Sequence, residues 1–253
     1  MKGRDEGRGM RDESDVMRKM IFVERGFSLQ LAMSRSMLFL AVATSAFVFA
    51  GQAFGQNVQE QPKKINERPV VASATPSPEP FDGATVERMA GQCVKLETEA
   101  GEIEIEMLAE AAPENARNFL NLAATGMFDT TTFSRIVKDF VIQGGNLSTG
   151  QKWNLETAKR AARKVPDEPS YIKHVRGIVS MARPDEPNSA TTHFFILLNE
   201  ATQLDGKFSA FGRVTRGMEV VDVINKAPAE GEKPAKPVII KHAIVETCEK
   251  KPQ

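Results

Sequence analysis

The chain has 253 residues, a formal net charge of zero and 41% hydrophobic residues. That length allows one globular domain with appendages and a sizeable core, and the charge balance gives no reason to expect nucleic acid or an anionic membrane surface as partner. Its two cysteines lack zinc spacing and its histidines, His174, His193 and His242, are too scattered for a metal cluster, so no metal is expected.

Residues 1–55 form a leader. Met37 to Ala50 (MLFLAVATSAFVFA) is apolar, follows Arg35 and leads to the small residues Ala50, Ala53 and Gly55. It falls short of the roughly 20 residues of a membrane span and has the layout of a secretory signal peptide; a retained membrane anchor is the alternative. The charged stretch before it is long for a leader, and a start at Met33 would give a more ordinary one. The expected location is therefore periplasmic or secreted. Residues 56–91 form a linker expected to be disordered, punctuated by Pro62, Pro69, Pro76, Pro78 and Pro80, with room for a short helix around Ala84 to Met89.

From Gln92 the pattern changes. CVKLET and EIEIEML alternate polar and apolar residues about Gly101, as in a hairpin. Pro113 opens a helix whose Ala116, Phe119, Leu120 and Ala123 recur at helical spacing before Gly126. Short strands follow at Thr132 to Val137, Phe140 to Gln143, Ile178 to Ala182, His193 to Leu198 and Phe211 to Val214. A second helix spans Met218 to Asn225, and a strand at Val238 to Thr247 ends the domain, taken as residues 92–249, with 250–253 as a tail. About eight short strands with two helices predict a mostly β fold, a closed eight-stranded antiparallel barrel. Such a barrel is filled by its own side chains, so a site would lie on its outer wall. On that wall Arg135 would share a face with Phe133 and Val137 by strand alternation. If the first and last strands pair, Cys93 and Cys248 lie close together, either as a disulfide or as two free thiols.

Three segments carry the chemistry: FSRIVKDFVIQGG (133–145), GIVSMARPDEPNSATTHFFI (177–196) and LDGKFSAFGRV (204–214). Together they resemble the cyclophilin family of peptidyl-prolyl cis-trans isomerases, over the whole stretch from Gln92 to Cys248. The resemblance implies isomerisation of X-Pro bonds in polypeptides without a cofactor, with Arg135 as the catalytic donor. It implies substrate-binding roles for Phe140, Val141, Gln143, Met181, Ala182, Arg183, His193, Phe195, Leu204 and Phe208. Phe140, Phe195 and Leu204 would wall the proline pocket, Gln143 would hold Arg135, and Ala182 and Arg183 would offer backbone groups to the residue before proline. The sequence departs from the family pattern at Ser134, His193, Gln203 and Phe208. Gln203 replaces a tryptophan that contacts cyclosporin in the family, which puts sensitivity to that drug in question. His193 stands where the family has glutamine, and its charge would vary near neutral pH. The expected role is to assist folding of exported proteins, as a monomer; the alternative is a catalytically weak proline-peptide binding module or chaperone. Ser134 and His193 do not make a hydrolase, for want of an identifiable carboxylate partner. His174 is expected in a surface loop, and the basic stretch Lys159 to Lys164 on a solvated face.

Overall fold

The structure is a computed structural model that describes residues 78–249. The leader, residues 56–77 of the linker and the tail 250–253 fall outside the described residues. The expected linker stops short of Gln92. From Pro78 onward the chain packs on the domain, with Phe81, Ala84 and Met89 buried and Thr85 capping a short helix, α1 (Val86–Ala90). Arg117 donates to the carbonyls of Phe81 and Ala84 at 2.7 and 2.9 Å. Glu79 accepts from Arg160 and Arg163.

Alternation sets the first hairpin. β1 (Gln92–Thr98) pairs antiparallel with β2 (Gly101–Met107), so that Val94 faces Ile105 and Leu96 faces Ile103. All four side chains are fully buried. After β2 come α2 (Pro113–Ala124), β3 (Arg135–Val137), β4 (Val141–Gly144), α3 (Leu155–Ala161), β5 (Ile178–Met181), β6 (Phe194–Leu197), β7 (Ala210–Arg216), α4 (Met218–Asn225), a two-stranded hairpin of β8 (Ala229–Glu230) and β9 (Lys233–Pro234), and β10 (Ile240–Thr247). The order in the main sheet is β10-β1-β2-β7-β5-β6-β4-β3, and every pair is antiparallel.

The closed barrel expected from the sequence does not form. The sheet curls into a half-barrel that is open between β3 and β10. An isolated bridge, Thr132 with Ile239, crosses that seam, beside a hydrogen bond from Phe133 N–H to Val238 O of 3.0 Å. Two causes are local. β3 starts at Arg135 rather than Thr132, because Phe133 turns into the interior against Phe194. Pro234 and Pro237 lie on the facing segment, and proline cannot donate to a ladder.

Two hydrophobic clusters result among the described residues. The interior one gathers Phe119, Phe128, Phe133, Phe194 and Phe211 with the inward residues of β1 and β2; Phe119 lies 4.9 to 5.2 Å from three other rings, in tilted or edge-on contact. The second comprises Val141, Ile178, Ala182, Phe195, Leu197, Ala201, Leu204, Phe208 and Ala210. Neighbours in sequence therefore belong to opposite faces, as Phe194 and Phe195 do, because strand side chains alternate.

The connection from Leu147 to Arg176 holds an element that hydrophobic pattern does not reveal. α3 has seven residues and is announced by a capping box in which Asn154 accepts from Thr157 N–H. The expected solvated basic face holds at Lys159, Arg163 and Lys164, which are exposed, and is corrected at Arg160, which is buried against Glu79 and Asn118. The same connection supplies Glu168, whose carboxylate accepts from the N–H groups of Glu114 and Asn115 at the uncapped start of α2. Cys93 and Cys248 are joined as a disulfide with their Cα atoms 4.9 Å apart, at the end of the β1–β10 ladder.

Candidate active site

The sheet register lines up the candidate residues. Arg135 on β3 lies opposite Gln143 on β4, Gln143 opposite Phe195 on β6, and Phe195 opposite Ser180 on β5. Two residues along, Val137, Val141 and Leu197 form a parallel row on the same face. Gly145 keeps this register possible. It has φ +84°, and a Cβ there would stand 2.2 Å from Thr192 O. The Gln-Gly-Gly ending thus lets β4 run against the backbone leading into β6.

Arg135 is 3% exposed. Its Nε donates to Glu232 at 2.7 Å and its Nη1 to the Gln143 side-chain oxygen at 3.0 Å. Its Nη2 is buried with no hydrogen-bond partner among the described residues. A buried donor without an acceptor carries a desolvation cost of about 1–3 kcal/mol, more when charged. Such a cost is recovered when a ligand supplies the acceptor.

Apolar residues flank this row. Phe195, Leu204 and Phe208 are buried in the second cluster, and Phe140 packs against it half-buried. Phe208 meets Phe195 edge-on, with ring centres 6.1 Å apart. The Arg183 guanidinium lies 5.2 Å from the Phe208 ring centre and pairs with Asp167. Ala182 N–H already donates to His193 O at 2.9 Å, which leaves its carbonyl as the backbone group it offers. Met181 is placed otherwise than the sequence suggested: it points into the interior cluster. Phe133 also leaves Arg135's face and packs into that interior cluster, ahead of the start of β3.

His174 corrects another expectation. It is 1% exposed rather than on a surface loop. Its Nδ1 lies 3.1 Å from Asp205 and its Nε2 3.0 Å from Ser180 Oγ, while its backbone N–H donates to Asp205 at 2.8 Å. It thereby ties the turn carrying Leu204 to the strand beside Phe195. The trio has the residue types of a hydrolytic triad, but Ser180 is fully buried, so the arrangement holds a wall in place.

Burial pushes His174 below its ordinary pKa, against the opposing pull of Asp205. Desolvation pushes His193 down to about 4. His193 retains some solvent-accessible surface, but its enclosure disfavours the charged ring, and it is neutral at physiological pH. The expected charge change near neutrality is corrected accordingly.

A buried guanidinium with one nitrogen unpartnered among the described residues, beside an apolar wall, suits a ligand that pairs an apolar ring with a hydrogen-bond acceptor. Residues 93–245 match the family model described as "Cyclophilin type peptidyl-prolyl cis-trans isomerase/CLD". A peptidyl-prolyl cis-trans isomerase of Arabidopsis thaliana is 36% identical over 141 residues, covering 55% of this chain and 62% of that relative's length. One of Dictyostelium discoideum is 38% identical over 148 residues, covering 58% of this chain and 92% of the relative. The crystal structure of a Cryptosporidium parvum cyclophilin-type isomerase superposes with TM-score 0.56 at 30% identity, over 62% of this chain and 99% of that one. The same protein has been solved in the presence of the dipeptide Ala-Pro.

Proposed function

The chain belongs to the cyclophilin-type peptidyl-prolyl cis-trans isomerases, and on that premise we propose that it turns X-Pro bonds of polypeptides with Arg135 as the catalytic donor. The planar amide resists rotation by about 18–20 kcal/mol, from resonance. X-Pro bonds hold cis and trans near balance, yet exchange takes tens to hundreds of seconds. The reaction forms and breaks no covalent bond, so it needs no nucleophile. It needs a twisted amide made less costly.

In the planar amide the prolyl nitrogen's lone pair is delocalised and accepts hydrogen bonds poorly. In the twisted amide it is a localised base. A donor aimed at it bonds strongly only at the transition state, which raises rate rather than affinity. Arginine suits this, being always charged and planar with several donors. The observation that carries the reading is the buried, unpartnered Nη2 of Arg135, held by Gln143 in the row that includes Phe195. Phe140, Phe195 and Leu204 receive the proline ring. Val141 and Phe208 back that wall, and their apolar surface keeps water from the twisting bond. Ala182 and Arg183 present backbone to the residue before proline; His193 closes that end of the groove as a neutral ring.

The substrate is a proline-containing polypeptide in an exported setting. The disulfide between Cys93 and Cys248 supports this, since such bonds persist in oxidising compartments, and assistance to folding of exported proteins follows as the role. The test is isomerisation of a proline peptide by the wild type and Arg135→Ala. Arg135→Ala is expected to lose about two orders of magnitude in kcat/KM, the usual worth of one preorganised donor. Equal rates would make the protein a proline-peptide binder instead.

A further inference from the structure

Glu232 belongs to none of the motifs that point to the site, yet its carboxylate holds the Nε edge of Arg135 at 2.7 Å. It arrives by a specific route. β8 and β9 pair Glu230 with Lys233, leaving Gly231 and Glu232 as a two-residue turn. Gly231 has φ +62°, the conformation that the first position of such a hairpin turn requires. The Glu232 carbonyl accepts from Ile136 N–H at 2.8 Å, fastening the turn to the free edge of β3 beside Arg135.

We propose that Glu232 is a positioning residue that fixes the plane of the Arg135 guanidinium so that Nη2 faces the substrate; this rests on the isomerase reading above. An arginine side chain has many rotamers, and one bond from Nη1 to Gln143 leaves the group free to pivot. A second, charge-assisted bond at Nε removes that freedom. With the Nε N–H and one N–H of Nη1 engaged, Nη2 is the guanidinium nitrogen left without a partner among the described residues. The two partners differ in exposure: the Arg135 side chain is 4% exposed and that of Glu232 34%. The carboxylate therefore stands at the rim, where replacing it leaves the core packing intact.

The test measures kcat and KM on a proline peptide for Glu232→Ala, Glu232→Gln and Glu232→Asp. Glutamine keeps the reach and an acceptor oxygen but loses the charge; aspartate keeps the charge but loses the reach. Glu232→Ala and Glu232→Asp are expected to lose about tenfold in kcat with KM within twofold, in keeping with the sensitivity of catalysis to small misplacements. Glu232→Gln is expected within threefold of wild type. The Arg135 Nε–H resonance, slowed in exchange in the wild type, should exchange fast in Glu232→Ala. Wild-type kcat in Glu232→Ala, a rise in kcat, or a fully active Glu232→Asp beside an impaired Glu232→Gln would each overturn the proposal. An inactive wild type would instead remove the isomerase reading, so the two failures are distinct.

Discussion

Phe194 and Phe195 are adjacent, both fully buried and both on β6, yet they serve opposite faces. Phe194 joins an interior of interlocked rings, 5.1 Å from Phe119 and 5.5 Å from Phe128. Phe195 lies in a smaller cluster bordered by Arg135, Gln143 and Ser180, in a row that ends on an unpaired donor. One face spends its hydrophobic surface on stability. The other leaves a buried charge incompletely satisfied, which is a liability unless a ligand completes it.

Truncating each phenylalanine should separate these roles. Phe194→Ala is expected to cost about 3–5 kcal/mol of stability, from lost burial plus the cavity, seen as a lower urea midpoint. Phe195→Ala should raise KM for a proline peptide more than it lowers the midpoint. If both variants lose stability and activity in the same proportion, the two faces are not functionally distinct.

The disulfide sharpens the contrast from the far edge of the sheet, since β1 and β10 lie at the opposite end of the strand order from β3. Cys93→Ser is expected to cost about 2–5 kcal/mol, read by denaturant unfolding, with kcat/KM of the folded fraction unchanged. A fall in kcat/KM would mean that the edge bond reaches the site.

The smallest effect is that of pH. His193 and His174 both have lowered pKa values in the fold, so the unfolded chain takes up protons first as pH falls. Their contribution to stability is complete above about pH 6.5 and declines as pH drops toward 4. Between pH 5.5 and 8 His193 stays neutral, and kcat/KM should be flat there. A step in that profile would contradict the neutral assignment.

How far the sequence disclosed this contrast differs by element. The β1–β2 hairpin and α2 were legible because their apolar spacing is regular. α3 was not: its signal is a cap at Asn154 and Thr157 rather than a periodic face. The open seam was hidden because strand count says nothing of where a phenylalanine turns inward or where prolines withhold donors. At the site, the row through Arg135, Gln143 and Phe195 follows from alternation once the strands are placed. Met181 broke the same logic, being assigned to the pocket by resemblance when its position on β5 faces the interior. His174 and Glu232 were invisible because they reach the site from the connection before β5 and from the β8–β9 turn, distant in sequence from the groups they bind.

The central claim is that Arg135 grips the prolyl nitrogen only midway through rotation. The most direct measurement is exchange NMR on a proline peptide, giving affinity and catalysed cis-trans rate together for the wild type and Arg135→Ala. The account predicts a rate loss of about a hundredfold with affinity changed less than threefold. An undiminished rate, or affinity lost in the same proportion as rate, would contradict it.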